Sequence, residues 1–451
     1  MAVGSLGAGS GLDLESLVTD MVSARRDTKV KLYQNKLEGY EAELSALGAV
    51  GSAIDNFNSF VTTLNDEELF RGRNTAINQS AGEEALSITA DNTASNDTYS
   101  MQVDQLAKGS RLVSDKGLFT SGDEVVTSSG GELTLSAGDD EFTLEIEPET
   151  TLSQLREQIN SAEDNFGVSA NLLDDGSGHL YFTIASSKEG AGNTLEIDSS
   201  NLTLDSSALG GFFPGLHIPE GGEAQDAYII VDGIKIRNDT NVFDKAIAGL
   251  SIEALEVSNK PAKVSVNYDK QTVQDTLQGF VGSYNELINV LKQSTAKGAA
   301  LNGNSMVRQL RSALATDLMS NHAGGDSPFS SVFDVGIELL DNGTLSFDSS
   351  KFDRAVERDY DAVSSLFVGD NGLATSLDSL LDSYTGPGGM NNSLKDSVNR
   401  SIDSTEESLA DYEERMTKYE ASLRSRFTSL DTQLANMNAQ GNYLNSMLEN
   451  L

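Results

Sequence analysis

Residues 409–451 read LADYEERMTKYEASLRSRFTSLDTQLANMNAQGNYLNSMLENL. From Leu409 the apolar side chains fall at Tyr412, Met416, Tyr419, Leu423, Phe427, Leu430, Leu434, Met437, Leu444, Leu448 and Leu451, in steps of three, four or seven. Side chains at this interval line one face of an α-helix, so the stretch predicts a coiled-coil seam. Helices of this kind gain most of their stability from a packing partner. A matching code stands at the other end of the chain. Val30, Tyr33, Leu37, Tyr40, Leu44 and Leu47 alternate steps of three and four, and Ile54, Phe57, Val61 and Leu64 resume the rhythm after Gly48 and Gly51. Helix is expected from about Leu14, with Leu14, Leu17, Met21 and Ala24 on one face. The termini are therefore expected to meet as paired helices around a globular insertion.

Inside the insertion the period changes from helical to two. Leu86, Ile88 and Ala90, then Tyr99, Met101 and Val103, alternate with polar neighbours, and Asp91 to Asp97 supply the turn. Phe142, Leu144 and Ile146 form a strand before Thr151, which with Gln154 makes a capping box for a short helix bearing Leu152, Leu155 and Ile159. A hairpin follows, from Val168, Ala170 and Leu172 through Asp174–Gly178 to Leu180, Phe182 and Ile184. Tyr228 to Ile236 folds about Asp232-Gly233, and Leu250, Ile252, Val264, Val266 and Tyr268 continue the strands. Helical spacing returns with Val273, Leu277, Phe280, Tyr284, Leu287 and Leu291. Val335, Ile337 and Leu339, turning at Asp341-Asn342-Gly343 into Leu345 and Phe347, predict one more hairpin.

These readings give an α+β multidomain chain with terminal coiled-coil helices and a helical bundle that carries nested, β-rich head domains. The expected division is residues 1–42 as an N-terminal leg, 43–75 with 270–408 as the bundle, 76–112 with 225–269 as one β-rich head, 113–224 as a second inserted head with a short helix, and 409–451 as the C-terminal leg.

The 31 basic against 69 acidic residues give a net charge of −38, and residues 76–268 alone hold 10 basic and 32 acidic side chains. Nucleic-acid binding is disfavoured, since phosphate contacts need clustered Lys and Arg, and anionic membrane surfaces are disfavoured for the same reason. The chain has no Cys, which excludes disulfides, thiolate metal sites and cysteine nucleophiles. Residues Met1 to Leu17 lack the basic and apolar regions of a secretory signal, and no apolar run is long enough to span a bilayer.

Enzyme chemistry finds little support. His179, His217 and His322 are widely spaced in turn-like contexts and are expected at the surface, without a metal-binding pair or a nucleophile elbow. Gly7, Gly9 and Gly11 follow no strand and lack the Lys of a phosphate loop. Asp91, Asn92, Ser95, Asn96 and Asp97 offer hard oxygens for calcium but lack the acidic residue twelve positions in that an EF-hand needs, so an Asx-rich turn is the simpler reading. No enzyme activity, cofactor or metal site is expected.

Five segments carry a resemblance to one family. They are Gly7-Ala8-Gly9-Ser10-Gly11-Leu12-Asp13; Tyr99–Leu112 with Val103, Gln105, Leu106 and Ala107; Phe142–Ile197; Ala248-Gly249-Leu250-Ser251-Ile252 leading to Phe280–Asn285 and then Gly336-Ile337 with Gly343–Asp348; and Leu423, Phe427, Leu430, Asp431, Met437, Tyr443 and Leu444. In this order they resemble the bacterial flagellar filament cap protein (hook-associated protein 2) family, departing from it at Asp97-Thr98, where Gly is common. The resemblance implies an extracellular homo-oligomeric ring at the filament tip that retains exported flagellin and promotes its polymerisation. It also implies export by the flagellar type III apparatus, contacts with hook-filament junction proteins, and a cytosolic chaperone on the C-terminal helix. The candidate partner-binding residues are Leu409, Tyr412, Met416, Tyr419, Leu423, Phe427, Leu430, Leu434, Met437 and Leu444, with Gly9, Ser10, Gly11, Leu12 and Asp13 as the N-terminal motif. The alternative is a surface adhesin built on the acidic β domains.

Overall fold

The computed structural model describes residues 11, 13–79, 84–204, 213, 215–322 and 327–449. It divides into two compact units, Met1–Leu69 with Lys270–Leu451 and Phe70–Asp269. The chain opens with α1 (Leu14–Leu64) and the short α2 (Glu67–Arg71). Asp13 caps α1, its carboxylate accepting the Ser16 N–H at 3.0 Å, which satisfies one of the donors a helix start leaves unpaired.

Strands β1 (Arg73–Asn78), β2 (Leu86–Ala90), β3 (Asp97–Gln105), β4 (Arg111–Val113), β5 (Val125–Thr127), β6 (Gly131–Ala137), β7 (Asp140–Ile146) and β8 (Thr150–Thr151) lead to α3 (Leu152–Ser161). Then come β9 (Val168–Asp174), β10 (Leu180–Ser186), β11 (Leu195–Asp198), β12 (Ala227–Val231), β13 (Ile234–Asn238), β14 (Val242–Ile247), β15 (Leu250–Ala254) and β16 (Ala262–Tyr268). A five-stranded antiparallel sheet in the order β1-β16-β3-β12-β13 and a three-stranded one, β14-β15-β2, share a core that includes Met101, Val103, Ile229, Ile252 and Val264. The sheets β4-β10-β9 and β11-β6-β7, with α3 and the β5-β8 pair, enclose a separate core around Phe119, Leu133, Leu155, Phe182 and Ile184.

Local chemistry fixes these turns and caps. Asp232 and Gly233 both have positive φ, +49° and +82°, as a two-residue hairpin of right-twisted strands requires. Thr151 and Gln154 form both halves of the capping box.

The first unit resumes with α4 (Lys270–Ser294) and α5 (Ser305–Met319), a hairpin of β17 (Ile337–Leu339) and β18 (Leu345–Phe347), and then α6 (Ser349–Arg358), α7 (Tyr360–Phe367), α8 (Leu373–Thr385) and α9 (Met390–Glu449). Phe57 of α1 packs on Phe280 and Tyr284 of α4, with ring centroids 5.2 and 5.7 Å apart.

Neither Gly48 nor Gly51 interrupts α1, and α1 and α9 pass through residues 42–43 and 408–409 without a break. Gly51 is buried because α9 lies against it. A Cβ there would stand 2.8 Å from Asn391 Nδ2, an amide that donates to Leu47 O at 3.3 Å.

Two expectations are corrected. Val335 belongs to a 3₁₀ turn, Val332–Val335, that ends at Gly336 with φ +100°, so the left-handed glycine restarts the chain as strand only at Ile337. His322 is buried, 5% exposed. Its Nε2 lies 2.8 Å from Asp317 O and its Nδ1 3.1 Å from Asn371 O, so the ring is enclosed between two backbone carbonyls.

Candidate functional site

The candidate site is the pairing of α1 with α9. Glu15 meets Arg424, Arg26 meets Glu413, and Leu47 meets Asn391. The rising number on one helix against the falling number on the other makes the pair antiparallel. Its distal end is a small core of Val18, Val22, Met416 and Leu423, flanked by Tyr412, Tyr419 and Phe427. Burying a side chain of Leu423's size contributes about 2 kcal/mol.

Polar contacts set the register around this core. Tyr412 donates its hydroxyl to Arg25 O at 2.7 Å and stands 6.3 Å from the Tyr33 ring. The Arg25 guanidinium lies over the Tyr419 ring, 4.8 Å from its centroid, a cation–π geometry. Arg424 spans both helices, with Nη1 and Nη2 on the Glu15 carboxylate at 2.7 and 2.5 Å and Nε on Glu420 at 2.9 Å. The Arg424 hydrogen bonds hold the Glu15 carboxyl below its ordinary value, and the two carboxylates raise the Arg424 value in turn.

The seam is engaged unevenly. Met416 and Leu423 are buried, and Leu409, Tyr412, Tyr419 and Phe427 are half-buried. Leu434 is half-buried, whereas Leu430, Met437 and Leu444 are 42%, 66% and 58% exposed. Leu14, the first residue of α1, lies one residue before the partner of Arg424, so α9 has outrun its helical partner by Leu430. Of the N-terminal motif, Gly11 has φ +73° and Asp13 caps α1. Gly9, Ser10 and Leu12 lie outside the described residues.

On α1 Val18 and Val22 pack against α9 and Leu14 is buried in line with them, whereas Leu17, Met21 and Ala24 are exposed. This corrects the expected face. The steps of four were present in the sequence, but two overlapping stripes competed and only the position of α9 selects one. Glu15 and Arg424 carried no local signal, since their pairing spans 409 positions.

No catalytic arrangement forms around these side chains, and among the described residues no group of His, Cys, Asp and Glu could hold a metal ion. Asp91 Oδ1 is taken by the Thr93 N–H and hydroxyl at 2.7 and 2.6 Å, an Asx turn. No described helix is long and apolar enough to cross a membrane.

Comparison with known proteins places this architecture. The family model described as flagellar hook-associated protein 2 C-terminus matches residues 224–439, and the one for its N-terminus matches residues 10–110. The flagellin hook IN motif matches residues 132–186, within the unit that carries α3. Flagellar hook-associated protein 2 of Aeromonas caviae is 34% identical over 420 residues, covering 89% of each chain. The Escherichia coli K12 protein of the same name is 26% identical over 430 residues, 89% of this chain and 88% of its own. The crystal structure of the flagellar cap protein FliD D1-D2-D3 domains from Escherichia coli superposes with a TM-score of 0.62 at 25% identity, covering 78% of this chain and 99% of that one.

Proposed function

The chain belongs to the flagellar hook-associated protein 2 family, and from that premise we propose that it is the structural cap at the distal end of the bacterial flagellar filament. The cap retains exported flagellin at the growing end and promotes its polymerisation, so filament elongation and motility depend on it. The observation that carries this reading is the order of the matches: the N-terminal model, the inserted hook motif and the C-terminal model follow one another along a chain whose two ends pair as antiparallel helices.

On this reading the work is mechanical and needs no catalytic group. The β-rich segments, residues 76–112 with 225–269 and residues 113–224, form the plate, residues 43–75 with 270–408 the bundle, and residues 1–42 and 409–451 the legs. The seam from Leu409 to Leu444 is the partner-binding surface. Its engaged part, up to Phe427, holds the legs together; the part from Leu430 on, where Leu430, Met437 and Leu444 are exposed, meets flagellin in the filament and, before export, a cytosolic flagellar chaperone. The chain assembles as a ring of identical subunits, follows the junction proteins onto the hook, and leaves the cell through the flagellar type III apparatus. Neither nucleic acid nor membrane insertion has a part in it.

Deleting the gene tests the reading. Flagellin released into the medium with no filaments on the cell is the expected result. Intact filaments with lost surface attachment would instead identify an adhesin.

A further inference from the structure

Arg308 and Arg311 stand three residues apart on α5 and line one cavity of about 310 Å³ with Tyr284, Ile288 and Leu339. Among the described residues neither arginine has an ion pair or a hydrogen bond, although Lys270, Arg26, Lys418 and Arg424 of the same unit are each paired with a carboxylate. Burial pushes the Tyr284 phenol up to about 12, so it stays protonated at physiological pH. The cavity is thus lined by two guanidinium groups together with Ile288, Ala315 and Leu339, an arrangement that takes a carboxylate next to an apolar side chain.

The chain itself carries the complement. After β15, Leu255 and Val257 are 42% and 55% exposed on either side of Glu256. Among the described residues the Glu256 carboxylate has no partner, while the Leu255 N–H is tied to Ala85 O at 2.8 Å. The segment is thus anchored by its backbone and free in its side chains, which lowers the ordering cost of docking. Closed rings of identical subunits are built from two different patches that fit each other. In a chain with 69 acidic and 31 basic residues, an unpaired arginine couple is the scarcer half of such a fit.

We infer that the cavity of one copy receives Leu255-Glu256-Val257 of a second copy, with Glu256 between Arg308 and Arg311 and a flanking aliphatic side chain against Ile288 and Leu339. The inference rests on the reading of the cap as a ring of identical subunits.

Sedimentation of the full-length protein over a concentration series at one ionic strength tests it. Arg308→Glu with Arg311→Glu, and separately Glu256→Arg, should each raise the dissociation constant about tenfold or more, as removal of a close charge pair does. Carrying all three changes in one chain should restore association. Arg308→Gln with Arg311→Gln serves as the milder variant, and an unchanged thermal transition shows that a variant is folded. If the wild type associates and the folded variants associate equally well, the pairing is wrong and the cap reading stands. If the charge-swapped chain fails to recover, the two patches do not meet. A wild type that stays monomeric at every concentration removes both the pairing and the ring.

Discussion

Arg424 holds Glu15 with two nitrogens and Glu420 with a third, so one side chain of α9 fixes the start of α1 from 409 positions away. The consequence is measurable at the carboxyl. Its native value lies below the ordinary 4.5, because Arg424 donates hydrogen bonds to the charged form. The stabilisation from this pair is fully present above the unfolded value and is lost as pH falls through the native one. In an NMR titration of the Glu15 carboxyl, the midpoint should move up toward 4.5 in Arg424→Ala. An unmoved midpoint would mean the contact is not formed in solution.

Leu423 is buried and Leu430 exposed on one seam, and the proposed function gives them different roles. Leu423 is buried against Val18 and Val22, and Leu423→Ser should destabilise the helix pair by about 2–5 kcal/mol, the range of large-to-small core changes. Leu430 is 42% exposed, so Leu430→Ser should leave the thermal transition unchanged while filament growth falls. Adding Phe427→Ser to both should abolish growth and chaperone binding without touching the transition of the β-rich unit. Calorimetry together with filament-length counts on complemented cells reads both effects, and normal motility in the triple variant would defeat the assignment.

Gly48 and Gly51 lie about one turn apart on α1 and should respond differently to alanine. Nothing lies within 4 Å of a Cβ at Gly48, so Gly48→Ala should stabilise by about 0.5–1 kcal/mol through helix propensity alone. At Gly51 the same methyl meets Asn391 Nδ2, on a fully buried residue, together with Lys395 Nζ at 3.1 Å. That gain should be cancelled, and Gly51→Val should cost about 1–3 kcal/mol by overpacking. Chemical denaturation of the three variants checks the sign at each site.

Thr151 accepts the Gln154 N–H at 3.3 Å while the Gln154 side chain accepts the Thr151 N–H at 2.9 Å. Thr151→Ala should cost about 1 kcal/mol. The loss belongs to the unit that contains α3, and hydrogen exchange should rise in Leu152–Ser161 before it rises in α1 or α9.

What could be read in advance followed from local rules. The Asp232-Gly233 turn, the Thr151 capping box and the heptads of α9 each place their own cause within a few residues. The stripe of α1 could not be chosen that way, because Val18 and Val22 are selected over Leu17 and Met21 by a helix about 400 positions later. His322 was misread for a related reason. The carbonyls of Asp317 and Asn371 that receive its ring are brought together only by the packing of the bundle. The seam itself was legible, whereas the point at which its partner runs out depends on where α1 begins opposite it.

The uninterrupted course of α1 and α9 gives the molecule a pair of levers. At 1.5 Å of rise per residue, the 60 residues of α9 make a rod of about 90 Å, one end of which is built into the bundle and the other free of α1. Proline is a leading cause of sharp bending in a helix, and α9 has none. A sideways load on the exposed end would therefore be carried along the rod as torque on the helices around Asn391.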